Sequence, residues 1–213
     1  MQLNRRILEC RSAEEVCQLV EAHGAEFDHV NVATAYRRVL QSRRGDGGPH
    51  GAVEGALREL EASAVRMMDA FDSQAIANTL HAMAKARRRP GDRSLLPALE
   101  RRAEAVADTF NAQGVANTLW AYATLGRAPG AGLMRGLEGR AEAVAGTFKA
   151  QEVANTLWAY ATMGREPSAG VMRGLEGRAE AVVSTFNAQD VANTLWAYAT
   201  MGRAPSAGVM RGL

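Results

Sequence analysis

Side-chain amides and guanidinium groups are the chemistry-bearing residues that recur in this sequence at fixed spacing. Asn78, Asn117, Asn155 and Asn193 stand 39, 38 and 38 residues apart, and each carboxamide can donate to and accept from the edge of a nucleobase. Gln113, Asn117 and Thr124 make a polar row at i, i+4 and i+11, one face of a helix. Next to that row a single position changes while its surroundings repeat, as Ala75, Gly114, Glu152 and Asp190. A base-reading side chain must vary with the base while its frame stays constant, so these four are candidate readers of single-stranded RNA. The plainer alternative is a permissive first-turn site where acids favour the helix dipole. The four asparagines are the second set of candidate readers, although an unchanging amide equally suits a role in locking adjacent helices together.

Cations recur in the same way. Arg127, Arg165 and Arg203 fall at a helix end, and Arg135, Arg173 and Arg211 further along each copy. Stacked copies would align each set into a stripe suited to a phosphate backbone. Lys85, Arg87, Arg88 and Arg89, near Arg93, form the one concentrated basic cluster. The candidates for phosphate contact are therefore Arg127, Arg165, Arg203, Lys85, Arg87, Arg88 and Arg89. Compensation of helix dipoles and a solvated turn account for the same residues without a ligand.

Enzyme chemistry is not indicated. His23, His29, His50 and His81 are scattered without a recurring acid or thiol partner, and there is no nucleophile motif, glycine-rich phosphate loop or metal-ligand cluster. No cofactor, metal or small-molecule substrate is expected. Cys10 and Cys17 lack the companions that a zinc site or disulfide framework requires and read as reduced structural thiols. With 25 basic and 23 acidic residues the net charge is only +2, so any attraction for a polyanion must be local. Lys85 and Lys149 are the only lysines, and the resulting arginine excess suits stacking and bidentate contacts but also follows from GC-biased codons. No apolar run approaches the roughly 18 residues of a membrane span. The first residues, with Glu9, Glu14 and Glu15, resemble neither a signal nor a transit peptide.

These residues are positioned by a repeat. FNAQGVANTLWAYATLGRAP begins at Phe110 and returns, nearly unchanged, at Phe148 and Phe186; more divergent copies begin at Phe71 and Phe27. Each copy predicts two helices. Asn111 or Asn187 caps the first with Glu152 or Asp190 at the third position, Lys149 breaks that rule, and Gly126, Gly164 and Gly202 stop it. Val115, Leu119 and Tyr122, with Ala116, Trp120 and Ala123 alongside, predict a wide apolar stripe that places the tryptophans in the core. After a turn with Pro129, Pro167 or Pro205, a second helix carries Leu137, Ala141, Val144 and Phe148, while Gly136 and Gly139 allow close backbone approach. Ser12 and Glu15 predict a capping box opening a helix that ends near Gly24.

A helix pair of 38 residues buries too little surface alone, so the copies must stack. The expected fold is all-α, an α-solenoid of two-helix repeats: a helical cap over 1–26, a divergent repeat over 27–70, repeats over 71–109, 110–147 and 148–185, and a truncated one over 186–213. The extra residues of the first copy, Arg43 to His50, predict a loop. Ending in mid-helix at the equivalent of Leu175, the sequence reads as a fragment of a longer array.

The pattern formed by Phe110, Gln113, Ala116, Asn117, Leu119, Trp120, Ala121, Ala123 and Gly126, repeated in the next two copies, resembles the octotricopeptide repeat family. The resemblance covers roughly residues 27 to 213. It implies a helical-repeat protein that binds single-stranded RNA in chloroplast or mitochondrial transcript processing, stabilisation or translation, with other RNA-processing proteins as further partners. Related repeats accompany RAP domains and RNA-editing complexes. The Pro-Pro-Pro-Glu-Trp string of some members and a RAP-like segment are both missing from this sequence. The rival reading is a protein-binding scaffold, because a concave helical array takes peptides as readily as RNA.

Overall fold

The computed structural model describes residues 2–42, 50–88 and 90–212. The expected loop therefore lies outside the described residues except for His50, which opens a helix, and Arg89 lies outside them too. Among the described residues the chain is all-helical, with no strand. It divides into two compact units, Met1–Ala105 and Val106–Leu213.

The first unit contains α1 (Gln2–Glu9), α2 (Ala13–His23), α3 (His29–Ser42), α4 (His50–Arg66), α5 (Ser73–Lys85) and α6 (Leu95–Ala105). Helix α3 is packed by α1, α2, α4 and α5, and α6 lies against α4 and α5. The stretch expected to form a cap with one helix thus holds two, α1 and α2. The capping box at Ser12 is offset: Ser12 Oγ accepts from the Glu15 amide, but the Glu15 carboxylate accepts from the Arg11 amide at 2.7 Å, one residue before the cap.

The second unit contains α7 (Ala112–Thr124), α8 (Ala131–Ala143), α9 (Ala150–Thr162), α10 (Ala169–Val182), α11 (Ala188–Thr200) and α12 (Ala207–Gly212). Helices α7, α9 and α11 lie side by side in one layer, and α8, α10 and α12 follow one another in a second. Each first helix is bounded as its residues dictate. Asn111 and Asn187 accept from the third amide of the helix at 2.8 and 2.9 Å. At the other end Gly126, Gly164 and Gly202 take φ of +67°, +64° and +66°. That left-handed turn lets the amides of Arg127, Arg165 and Arg203 donate to the carbonyls of Tyr122, Tyr160 and Tyr198, each at 3.0 Å. After α5 the equivalent residue is Arg87 at φ +51°, a conformation that costs a side chain with Cβ about 1–2 kcal/mol.

The same contacts recur from copy to copy in the second unit. Tyr160 and Tyr198 are buried and donate to Glu138 and Glu176 on the preceding second helix, both at 3.1 Å. Ser168 and Ser206 donate to Glu142 and Glu180 at 2.8 and 2.5 Å. Arg140 and Arg178 reach back to the carbonyls of Phe110 and Phe148, whose rings are fully buried. A turn of 3-10 helix precedes each of these phenylalanines, and the next second helix packs on it. Gly136 and Gly174 mark this approach: a Cβ there would lie 2.7 Å from the methyl of Ala107 and 2.9 Å from that of Ala145. Gly139, expected to do the same, has open space around its Cβ position.

Candidate functional site

Residues four, seven and eleven apart share one face of a helix. On α7 that face carries Gln113, Asn117, Trp120 and Thr124; on α9, Gln151, Asn155, Trp158 and Thr162; on α11, Gln189, Asn193, Trp196 and Thr200. The glutamines are exposed and the asparagines half-buried, so both amides reach the surface of the layer. On α11 the two are joined, Gln189 Nε2 donating to Asn193 Oδ1 at 2.7 Å. That bond leaves the Gln189 oxygen as an acceptor and the Asn193 nitrogen as a donor outside it.

The tryptophans meet the expectation that they fill the core only in part. Trp120 and Trp158 are only half-buried, and Trp196 is 46 % exposed. Their rings form a continuous row, with centres 6.4 Å apart from Trp120 to Trp158 and 6.3 Å from Trp158 to Trp196, tilted by 34° and 35°. Ala116 and Ala123 are buried as expected, and the indoles lie at the edge of that apolar arc, where neighbouring first helices meet the surface. The site therefore combines an aromatic row with a flanking amide row on one face.

The four candidate readers at the variable position are redirected by the helix N-terminus. Gly114 is buried, and any Cβ there would sit 3.0 Å from the Phe110 ring. The Glu152 carboxylate accepts from the Lys149 backbone at 2.9 Å, and Asp190, 3 % exposed, accepts from the Asn187 backbone at 3.2 Å. Ala75 stands at the same point of α5, where its amide donates to Asp72 at 2.7 Å. The side chains of Glu152 and Asp190 thus cap their own helices, and Gly114 and Ala75 offer no side-chain group that could hydrogen-bond a base. Of the amide candidates, Asn78 is half-buried on α5 and Asn117, Asn155 and Asn193 lie beside the tryptophans.

Among the candidate phosphate contacts, Arg127 and Arg165 are exposed at the ends of α7 and α9. Arg203 is also exposed and pairs with Glu166 at 3.2 Å. In the first unit Lys85 and Arg87 face solvent, whereas Arg88 turns inward. Its guanidinium grips Glu54 at 2.8 Å and lies 3.5 Å from Glu61, which is completely buried. Glu61 also accepts from the Tyr36 hydroxyl at 3.0 Å and the Asp92 amide at 2.9 Å. Arg88 is thus held in an internal ion pair, which corrects its assignment to phosphate. Sequence reasoning missed this network because Tyr36, Glu54, Glu61 and Arg88 share no spacing and meet only through packing. Among the described residues no group of acids, histidines and cysteines could hold a metal ion, and no helix is long and apolar enough to cross a membrane.

A family described as "Protein of unknown function (DUF1601)" matches residues 63–80, 101–119, 145–157 and 183–195, less than a third of the chain. The matched segments end at Leu80, Leu119, Leu157 and Leu195, the same position in four successive copies. No curated protein matches the chain at a significant level.

Proposed function

We propose that this chain is an α-solenoid that binds single-stranded RNA along the face formed by α7, α9 and α11. The row of partly exposed tryptophans beside an amide row carries the reading. Aromatic faces accept any base by stacking, at ~1–3 kcal/mol each, and the exposed glutamine and half-buried asparagine amides beside them, each able to donate and accept, suit a base edge. The indole centres, 6.4 and 6.3 Å apart, offer successive bases a continuous row of rings. Arg127 and Arg165, exposed at the ends of the same helices, supply charge for the backbone. The organellar transcripts implied by the octotricopeptide resemblance are the substrate class that this reading takes.

Filter binding across a salt series tests it. Single-stranded RNA should be retained at low salt, with log affinity falling against log salt by about 0.7 per phosphate contacted. Trp158→Ala should weaken binding by ~1–3 kcal/mol at a temperature where circular dichroism shows the variant still folded. Equal retention of duplex and single strand, or binding indifferent to Trp158, would overturn the proposal, and a protein partner captured equally well after ribonuclease treatment would put the scaffold reading in its place.

A further inference from the structure

The face that carries the proposed function is chemically the same three times over. Helices α7, α9 and α11 read AQGVANTLWAYAT, AQEVANTLWAYAT and AQDVANTLWAYAT, so a single position differs among them. That position is Gly114, Glu152 or Asp190, and its variation is spent inside the helix terminus: the glycine is covered by Phe110, and the two acids are bonded to their cap amides. Apart from the half-buried Glu152, the groups of these three helices that reach the outer face are repeated without change. Gln113, Gln151 and Gln189 are exposed in all three copies, Asn117, Asn155 and Asn193 are half-buried beside them, and the indoles follow one another at 6.4 and 6.3 Å.

A surface that offers one set of donors, acceptors and rings at constant spacing gives identical bases their best fit in every register, and a mixed sequence its best fit in none. We infer that the second unit recognises a run of one repeated base in single-stranded RNA, not a mixed sequence read residue by residue. The inference rests on the proposed RNA binding and adds to it the class of sequence bound. Specificity is then set by the Gln–Asn pair and is the same in each copy. Altering that pair in the middle copy alone should move the preference at the middle base alone.

The test is competition binding of the full chain to short single-stranded homopolymers of A, C, G and U, of equal length, and to a scrambled oligonucleotide containing all four bases. One homopolymer should exceed the scrambled strand by about tenfold or more, as discrimination at several amide-read bases requires. Asn155→Asp, which replaces a donor with an acceptor, should lower affinity for that homopolymer about tenfold and restore it for a strand changed at one central base. Circular dichroism melts confirm folding of the variant, and the wild-type panel decides the matter without it. Equal binding of all homopolymers and the scrambled strand overturns the inference while leaving RNA binding intact; retention of none overturns both.

Discussion

Tyr160 and Tyr198 show how single residues tie successive copies together. Burial, and then the carboxylates of Glu138 and Glu176 that accept their hydroxyl protons, raise both phenols above the ordinary value of 10.0. In the unfolded chain the same groups ionise near 10. The folded state therefore holds its protons to higher pH than the unfolded state does. Their contribution to stability is complete below about pH 10 and is lost as pH rises beyond it. Urea midpoints should fall above pH 10, less steeply in Tyr160→Phe, and that variant should cost ~1 kcal/mol at neutral pH for its lost hydrogen bond; an unchanged alkaline slope would show that these phenols are not coupled to folding. Residue types alone left the tryptophans misplaced. A 3.6-residue period identifies side chains on one face, but only the neighbouring helix decides how much of that face is covered, and the indoles fall at the margin of the cover.

At the scale of the elements, the glycines of the second helices separate into two kinds. Gly136 and Gly174 face the methyls of Ala107 and Ala145 at 2.7 and 2.9 Å from a Cβ position, on short side chains fixed in a packed turn. Gly139 and Gly177 have nothing within 4 Å. Alanine favours a helix over glycine by ~1 kcal/mol, whereas overpacking costs ~1–3 kcal/mol. Gly139→Ala and Gly177→Ala should accordingly raise the urea midpoint, while Gly136→Ala and Gly174→Ala lower it, and shifts of the same sign in all four would contradict the packing described. The helix boundaries were legible from Asn111, Asn187, Gly126, Gly164 and Gly202, because caps and left-handed stops are local events. The meeting of Gly136 with the 3-10 turn at Ala107 was not, since it joins one copy to the end of the preceding one. The variable third position of the first helix shows the same limit. Its acids read equally as base contacts or as caps, and the backbone amides of Lys149 and Asn187 decide for capping.

In the molecule as a whole, repetition made the all-helical architecture legible, since copies 38 residues apart that match so closely must take up the same contacts. Their neighbours determine which faces remain open. Leu157 and Met172 are buried, whereas their equivalents Leu195 and Met210 are 40 % and 54 % exposed on α11 and α12, where no further helix pair follows among the described residues. The first unit departs from the pattern because His81 and Lys85 stand where the later copies have tryptophan and threonine, and Arg88 is drawn into the buried pair with Glu54 and Glu61. The RNA-binding account therefore centres on the layer of α7, α9 and α11. Ultraviolet cross-linking of the chain to single-stranded RNA, followed by mass-spectrometric mapping, tests that most directly: the cross-links should fall in the peptides of 112–124, 150–162 and 188–200 and centre on Trp120, Trp158 and Trp196. Cross-links confined to α8, α10 and α12, or to the first unit, would contradict it.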